Sequence, residues 1–316
     1  MYYLGIDLGG TFIKAGIVDD EGRIIRKDSL STEVDGGVDH VAERMAEISL
    51  KVIKDAGLSV SDIEYAGVAS PGTADCGSGE MVYCSSIPFL HYPLAQKISD
   101  LTGIKKVYIE NDANAAAKGE ASVGNAKGYK TSIMITLGTG IGGGIIIDGK
   151  IFTGFNFAAA EVGHMVIDPS GPECQCGRKG CWEKLASATA LIRMAREKMA
   201  EDPDTVMWEL CSHDLSKVDA KVPFDAKRAG DKAGSEVVEK YIFYLACGLT
   251  NLIDLLEPEI ITIGGGVCNE GDYLLDPVRA IIEKEQYSRN GELKTKIVRA
   301  ALGNDAGMIG AAMLGK

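Results

Sequence analysis

A strand, a glycine turn and a second strand occur near the start of this 316-residue chain, and the same pattern returns near residue 131. It predicts strands over residues 2–7, 12–18, 131–137 and 145–148. The turns between them are Gly9-Gly10-Thr11 and the glycine-rich segment 138–144. Such a repeat indicates an internally duplicated α/β chain, in which a cleft between the halves is a common place for a ligand.

Two domains are expected because 316 residues exceed what one small core usually holds. We place the first domain in residues 1–118 together with 301–316, and the second in residues 119–300. The last helix, predicted over residues 305–314, would begin at a cap formed by Asn304 and Asp305.

The net charge of −12 argues against a basic surface for nucleic-acid backbones, although nucleotides can still be held by backbone N–H groups and a metal ion. No basic segment or cleavage site marks a signal peptide. The longest apolar region, residues 241–256, contains Asn251 and Asp254 and is not a predicted membrane span. We therefore expect a cytoplasmic protein with reduced cysteines that binds neither nucleic acid nor membrane.

One histidine and three cysteines have the spacing of a zinc site: His164, Cys174, Cys176 and Cys181. Imidazole and thiolate ligands can close a tetrahedral shell, and four protein ligands leave no open position, so the metal would be structural. His164 could bind through one ring nitrogen and offer the other to a substrate hydroxyl. Glu161 and Glu183 flank these ligands on the same loop. The other five cysteines have no metal-like spacing.

Two glycine segments are candidates for phosphate binding. Asp7 precedes Gly9, Gly10 and Thr11, whose backbone could approach an anion, but a plain hairpin turn explains this segment equally well. Leu137–Gly144 holds five glycines and Thr139, more than a turn needs, which favours close approach to a polyphosphate. Neither segment is a Walker loop or a Rossmann fingerprint.

Glu110-Asn111-Asp112 lies where a predicted strand gives way to a helix. Asn and Asp are common helix caps, so capping is the simpler interpretation. A catalytic interpretation is that Asp112 accepts the proton of a hydroxyl and Asn111 binds a neighbouring hydroxyl. Further on, Gly264-Gly265-Gly266 follows a strand and is either a turn into a helix or a surface for a nucleobase or ribose.

Taken in order, these segments resemble the ROK family of sugar kinases and sugar-responsive repressors over essentially the whole chain. The Cys174–Glu183 run is the most specific of them. The resemblance implies an actin-like, duplicated ribonuclease-H-like fold of two α/β domains, with the final helix packed on the first. It also implies ATP, Mg²⁺, a structural zinc ion and a homodimer or larger homo-oligomer.

The resemblance further implies roles for individual residues. Asp112 matches the catalytic base. The residues expected to bind the sugar are Gly72, Asn111, Asp112, Glu161, His164 and Glu183. Those expected to bind the nucleotide are Asp7, Gly9, Gly10, Thr11, Gly138, Thr139, Gly140, Gly142, Gly264, Gly265 and Gly266. The zinc ligands would be His164, Cys174, Cys176 and Cys181. The chain departs from the family pattern at Phe12, where many members have lysine, at Ala160, and at residues 186–189.

The function we expect is ATP-dependent phosphorylation of a hexose at its 6-hydroxyl, with glucose as the sugar. A kinase for N-acetylmannosamine or N-acetylglucosamine is the main alternative, because it would share the cysteine loop. A fructokinase is disfavoured, since that branch carries a different loop. A sugar-responsive repressor is disfavoured because its DNA-binding domain would precede the first glycine turn, which here follows Asp7. A sugar-binding protein without activity would not need Asp112 and two phosphate loops.

Overall fold

The computed structural model describes residues 1–292 and 294–316 and consists of alternating strands and helices. The strands are β1 Tyr2–Leu8, β2 Phe12–Asp19, β3 Ile24–Ser31, β4 Ile63–Ser70, β5 Thr73–Asp75, β6 Glu80–Tyr83, β7 Leu90–Tyr92, β8 Val107–Asn111, β9 Ser132–Leu137, β10 Ile141–Ile147, β11 Lys150–Ile151, β12 Ile260–Gly264 and β13 Lys296–Arg299. The helices are α1 Val38–Asp55, α2 Leu94–Thr102, α3 Asp112–Val123, α4 Trp182–Ala186, α5 Ala188–Glu201, α6 Met207–Leu210, α7 Val222–Arg228, α8 Lys232–Leu256, α9 Asp272–Glu285 and α10 Ala306–Ala312.

Two five-stranded sheets repeat one topology. The first has the order β3-β2-β1-β4-β8 and the second the order β11-β10-β9-β12-β13. In the first sheet β1, β2 and β3 pair antiparallel and β1 pairs parallel with β4. In the second sheet the outer pair β10–β11 is likewise antiparallel and the pair β12–β13 is parallel. The predicted internal duplication is therefore confirmed. A third, three-stranded sheet contains β5, β6 and β7.

The chain divides into two compact units. The first contains residues 1–134, 144–160 and 300–316, and the second contains residues 135–143 and 161–299. The predicted domain boundaries at residues 118 and 300 stay a prediction.

The first sheet carries helices on its surface because its strands are apolar and glycine admits close approach. Residues of β1 and β4 pack with α1 in the main apolar cluster of this unit. The final helix, α10, lies against the same sheet: a Cβ at Gly5 would collide with the carbonyl of Met308, and one at Gly67 with that of Ala311. The expected packing of the last helix on the N-terminal part is confirmed.

The cap predicted for this last helix is wrong in its detail. Asp305 occupies the N-cap position of α10, but its side chain makes no capping hydrogen bond in the described part of the chain. Its carboxylate instead accepts hydrogen bonds from Lys27 Nζ, the shorter at 2.6 Å. The Asp305 carboxylate thus pairs with the ammonium of Lys27 on β3 and not with the backbone N–H groups of α10, since a hydrogen bond from a charged donor is stronger.

In the second unit, α8 supports the segment that contains the cysteines. Asp231 caps α8 through a hydrogen bond from the N–H of Gly234. Trp182, at the start of α4, is fully buried and donates its indole N–H to the carbonyl of Tyr244, 2.9 Å away. A Cβ at Gly248 would collide with this indole, so glycine permits the contact. The contact fixes α4, and with it Glu183. Across residues 1–292 and 294–316, no helix has both the length and the apolar character needed to span a membrane.

Candidate active site and metal centre

Asp7 lies on β1 directly opposite Lys14 on β2, beside the first glycine turn. Lys14 Nζ is 3.5 Å from Asp7 Oδ2, and Gly307 leaves room for the carboxylate, since a Cβ there would lie 2.9 Å from Asp7 Cγ. Burial raises the pKa of the Asp7 carboxyl, while the Lys14 ammonium acts in the opposite direction. The hairpin thus presents an acid–lysine pair as well as glycines.

The first glycine turn is itself closed by backbone hydrogen bonds. The N–H of Gly9 donates to the carbonyl of Phe12 at 3.0 Å, and the Thr32 hydroxyl donates to the carbonyl of Gly9 at 2.7 Å. Thr11 is exposed, and a Cβ at Gly10 would meet no described atom within 4 Å. The turn is therefore a true hairpin, with open space on the side of Gly10.

Asn111 caps α3, as the simpler interpretation of this segment predicted. Its Oδ1 accepts hydrogen bonds from the N–H groups of Ala113 and Asn114, and its Nδ2 donates to the carbonyl of Gly72 at 3.1 Å. Capping uses only one side of the Asn111 amide. The structure therefore brings two predicted sugar-binding residues, Gly72 and Asn111, into direct contact. Asp112, at the first position of α3, is exposed to solvent.

Glu110, at the same junction, forms a buried hydrogen-bond network that the sequence did not predict. It is only 4% exposed, and its carboxylate accepts hydrogen bonds from the backbone N–H of Asn111, from Asn114 Nδ2 and from the Cys76 thiol, at 2.9, 3.1 and 3.0 Å. Cys76 is one of the five cysteines without metal-like spacing. A strand ending in three polar residues was the available signal, but the cysteine partner is 34 residues away and has no signature in the sequence.

The second glycine turn is shorter than predicted. It covers residues 138–140, where the N–H of Gly138 donates to the carbonyl of Gly140 at 3.0 Å, and β10 already begins at Ile141. Gly144 lies inside β10, where α3 packs closely against it. Glycine is needed there because a Cβ would lie 2.5 Å from the Ala113 carbonyl and 2.6 Å from Ala117 Cβ. Helix packing therefore accounts for at least one of the five glycines.

Gly140 contacts a predicted sugar-binding residue. A Cβ at this position would lie 2.6 Å from Glu183 Oε2. Glu183 is 8% exposed, and its other oxygen accepts a hydrogen bond from the Cys174 thiol at 3.2 Å. The carboxylate of Glu183 is therefore held between the glycine turn and the cysteine cluster, where it can accept hydrogen bonds only in a restricted direction.

The third glycine segment forms a turn and also lines a cavity. Gly265 has φ +100°, and a Cβ there would collide with the carbonyl of Leu137, so this residue is needed by the turn. Gly266 has no described atom within 4 Å of a Cβ position and lines a cavity of about 430 Å³. The charged and amide side chains in its wall are Asp219, Lys221, Arg228, Asn269 and Glu270. Arg228 is ion-paired with Glu270 and lies 4.7 Å from the ring centre of Tyr273.

The four predicted metal ligands come together. One ligand atom each from His164, Cys174, Cys176 and Cys181 lies within 4.8 Å of the others. Cys174 Sγ is 3.6 Å from His164 Nδ1, and the sulfurs of Cys176 and Cys181 are 3.5 Å apart. Tetrahedral zinc with ordinary bond lengths would place its ligand atoms roughly 3.5–3.8 Å apart. The arrangement fits a metal ion with one nitrogen and three sulfur ligands.

The surroundings of the sulfurs also suit a cation. Burial raises the pKa of the Cys174 thiol and raises that of Cys181 to about 12. A hydrogen bond from the backbone N–H of Arg178 lowers the pKa of Cys176. Two buried sulfurs would therefore be held as thiolates only with a positive ion beside them. His164 faces the cluster with Nδ1, which leaves Nε2 on the other side of the ring. Glu161, at the start of this segment, is exposed.

The sequence model of the ROK family matches residues 3–316. The chain belongs to the ROK family. It is 37% identical to the glucokinase of Thermotoga maritima over 98% of this chain and 96% of that protein. It is 36% identical to the glucokinase of Halalkalibacterium halodurans over 100% and 95% of the two chains. A crystal structure of a ROK family glucokinase from Streptomyces griseus, in complex with glucose and AMPPNP, matches with a TM-score of 0.84 at 34% identity over 99% of both chains.

This similarity over whole chains confirms the predicted α/β, actin-like sugar-kinase fold with two domains. Within the ROK fold, the residues predicted to act form separate groups. Asp7 lies with the first glycine turn, and Gly72 lies with Asn111 and Asp112. In the second unit, His164 and the three cysteines form one cluster, with Glu183 and Gly140 at its side.

Proposed function

We propose that this ROK family chain is an ATP-dependent glucokinase, which transfers the γ-phosphoryl group of ATP to the 6-hydroxyl of glucose. The observation that carries the proposal is a combination within one chain. Over nearly its full length it is 34–37% identical to proteins named glucokinase. It also has the exposed carboxylate of Asp112 at the β8–α3 junction and the carboxylate of Glu183 beside the cysteine cluster.

Asp112 is the catalytic base of the proposed reaction. It orients the 6-hydroxyl of glucose and accepts its proton as the oxygen attacks the γ-phosphorus in line. Because such transition states are loose, the position of the hydroxyl matters more than the strength of the base. The hydrogen bond from Asn111 to the Gly72 carbonyl fixes the loop next to Asp112, so that Asn111 and Gly72 can present polar groups to a neighbouring sugar hydroxyl.

Glu161, His164 and Glu183 select the sugar by hydrogen bonds to ring hydroxyls away from the reacting one. Glu183 is suited to this role because Cys174 and Gly140 restrict its carboxylate. His164 is suited because its Nδ1 faces the sulfurs, which leaves Nε2 for a hydroxyl. A structural Zn²⁺ held by His164, Cys174, Cys176 and Cys181 would fix this loop and take no part in phosphoryl transfer.

The donor is bound by the glycine segments. Gly9, Gly10 and Thr11 form one phosphate-binding turn, while Gly138, Thr139, Gly140 and Gly142 belong to the other. Gly264–Gly266 and the adjoining cavity take the nucleoside. When bound, Mg²⁺ would neutralise charge on the donor phosphates, and the Asp7 carboxylate beside the first turn would reach the ion through a water molecule. Of these residues, Gly142 lies within β10 and not in the turn itself.

Assembly and location are part of the same proposal. We expect a homodimer or larger homo-oligomer that works in the cytoplasm, with a hexose and ATP as its partners. The mass of the purified protein in light scattering, compared with 33.5 kDa for one chain, tests the assembly directly.

The decisive experiment is a coupled assay of ADP release with zinc-replete protein, Mg-ATP and six sugars: glucose, N-acetylmannosamine, N-acetylglucosamine, mannose, fructose and allose. The proposal predicts the highest kcat/KM with glucose. A higher value with an N-acetylhexosamine would keep the reaction and change the substrate. Absence of turnover with every sugar would contradict the proposed activity and favour a sugar-binding role.

A further inference from the structure

The buried carboxylate of Glu110 holds the β8–α3 junction, which carries Asn111 and Asp112. Its Oε1 accepts hydrogen bonds from the backbone N–H of Asn111 at 2.9 Å and from Asn114 Nδ2 at 3.1 Å. These two donors flank Asp112 in the sequence, since Asn111 precedes it directly and Asn114 follows in the first turn of α3. Glu110 therefore fixes the chain on both sides of the proposed base.

The side chain of Asn114 depends on Glu110 for its orientation. Asn114 is 2% exposed, and in the described part of the chain its Oδ1 has no hydrogen-bond partner. The hydrogen bond from Nδ2 to Glu110 therefore holds this amide in place. Without Glu110, both ends of a buried amide would be unpaired, which is costly enough to shift the start of α3.

Cys76 joins the same carboxylate to a different segment of the chain. Its thiol, directly after β5, donates to Glu110 Oε2 at 3.0 Å. Partial burial raises the pKa of this thiol, and the negative charge of Glu110 acts in the same direction, so the sulfur keeps the proton that the hydrogen bond needs. The hydrogen bond from Asn111 Nδ2 to the Gly72 carbonyl holds the other end of β5. The junction is thus tied to the chain on both sides of β5.

Packing alone does not explain a carboxylate at position 110. Glu110 is 4% exposed, and removing a charge from water costs free energy that a neutral side chain of similar size would not cost. The hydrogen bonds that offset this cost lead to the residues on either side of Asp112. The charge is therefore used where a kinase needs a fixed geometry.

We propose that Glu110 and Cys76 are positioning residues, which align the Asp112 carboxylate with the reacting hydroxyl of the sugar. They act through Asn111 and Asn114. The inference rests on the proposed kinase activity and adds two residues to it. The alternative is that this hydrogen-bond network only stabilises the fold.

Glu120 gives a matched control. It is fully buried, and its two carboxylate oxygens accept hydrogen bonds from the backbone N–H groups of Asn125 and Leu302 at 2.9 and 2.8 Å. It lies on α3, toward the end that is distant from Asp112. Loss of Glu120 removes a buried, hydrogen-bonded carboxylate from the same helix without loosening the junction.

The test compares kcat, the KM for Mg-ATP and Tm in Glu110→Ala, Glu110→Gln and Glu120→Ala. Because a small displacement of a catalytic group is costly, Glu110→Ala should lower kcat by roughly tenfold or more, while the KM for Mg-ATP stays within about twofold. Glu110→Gln retains an acceptor for Asn111 and Asn114, so its kcat should stay within about threefold of the wild type. Glu120→Ala should lower Tm but leave kcat close to that of the wild type.

Substitution of Cys76 tests the second residue and can be measured even if Glu110→Ala does not fold. Cys76→Ala should lower kcat severalfold, and Cys76→Ser, which keeps a donor, should restore it. Since the two residues share one hydrogen bond, the double variant Cys76→Ala/Glu110→Ala should be no slower than Glu110→Ala.

Equal kcat values for Glu110→Ala and Glu120→Ala would overturn the inference in favour of a stabilising role. A Glu110→Gln enzyme as slow as Glu110→Ala would also contradict it, because the charge and not the hydrogen bonds would then matter. Independent losses in the double variant would remove Cys76 from the proposal. A wild type that phosphorylates no sugar contradicts the kinase assignment as well, whereas a normal kcat in folded Glu110→Ala contradicts this inference alone.

Discussion

The β1–β2 and β9–β10 hairpins occupy equivalent positions in two sheets of the same topology, yet they differ in chemistry. The first turn has a carboxylate and an ammonium facing each other beside it, and Gly10 is open to solvent. The second turn, residues 138–140, contains no charged side chain. The Glu183 carboxylate occupies the space where a side chain of residue 140 would lie, and the backbone of Gly265 packs against the Leu137 carbonyl. Similar glycine patterns thus have different surroundings: an acid–lysine pair lies beside the first turn, and the Glu183 carboxylate lies against the second.

The two units also have different roles in the proposed reaction. In the proposed reaction, Asp112 of the first unit acts on the reacting hydroxyl, while Gly140 and Cys174 of the second unit restrict the Glu183 carboxylate that would bind the sugar. Substitution of Asp112 should therefore act mainly on turnover, and substitutions at Gly140 and in the cysteine cluster mainly on sugar affinity and metal content.

The largest effect is expected from Asp112→Ala. The sugar would still bind, but its hydroxyl would lose the group that orients it and accepts its proton, so kcat should fall by roughly 10²-fold or more. KM for glucose should change little. Asp100→Ala, which removes an exposed acid of α2 that accepts a hydrogen bond from Gln96, serves as the control. Near-normal turnover of Asp112→Ala would exclude it as the base.

Cys176→Ser should have the next largest effect, and it should fall on the second unit. Loss of one thiolate ligand should remove zinc from the protein and raise the KM for glucose by about tenfold or more, because the loop that carries Glu183 would no longer be fixed. Metal content by mass spectrometry and kinetics on the same sample test both effects. Cys247→Ser, outside the cluster, should retain the metal; full zinc content in Cys176→Ser would refute the ligand assignment.

A pair of glycine substitutions sharpens the comparison of the two turns. Gly140→Ala should raise the KM for glucose severalfold, since its Cβ would lie 2.6 Å from Glu183 Oε2 and would shift that carboxylate. Gly10→Ala meets no described atom within 4 Å and should leave the KM for glucose unchanged. The same response from both variants would mean that the two turns do not differ as described.

The smallest effect on activity is expected from Gly144→Ala, which should act on stability. The new Cβ would lie 2.5 Å from the Ala113 carbonyl, and overpacking of this kind costs about 1–3 kcal/mol. Gly138→Ala, where a Cβ meets no described atom within 4 Å, is the control. Thermal unfolding should show Tm lowered by a few degrees for Gly144→Ala alone, with KM values close to those of the wild type.

Local patterns predicted much of this structure. The two hairpins, the strand-to-helix junction at Asp112 and the Cys/His cluster were all evident from the spacing of residues. The extent of the second glycine turn was not evident. The consecutive glycines 142–144 resemble a turn in the sequence, although in the structure they lie in β10. Gly144 belongs to the strand for a reason that only the distant helix α3 supplies.

The contacts of the site that the sequence did not predict also depend on residues that are distant in sequence. The Cys76–Glu110 hydrogen bond, the contact of Gly140 with Glu183 and the pairing of Asp305 with Lys27 all join residues far apart in sequence. For Asp305 the distant partner takes the place of the cap that the sequence predicted. Long-range partners of polar side chains depend on the fold and cannot be taken from spacing.

Phosphorus NMR of the products formed from Mg-ATP and glucose by the zinc-replete wild type and by Asp112→Ala is the most direct test of the proposed glucokinase reaction. The wild type should form glucose 6-phosphate and ADP in equal amounts, at a rate roughly 10²-fold or more above that of the variant. Formation of ADP without a sugar phosphate ester, or of the ester at equal rates by both proteins, would contradict this expectation.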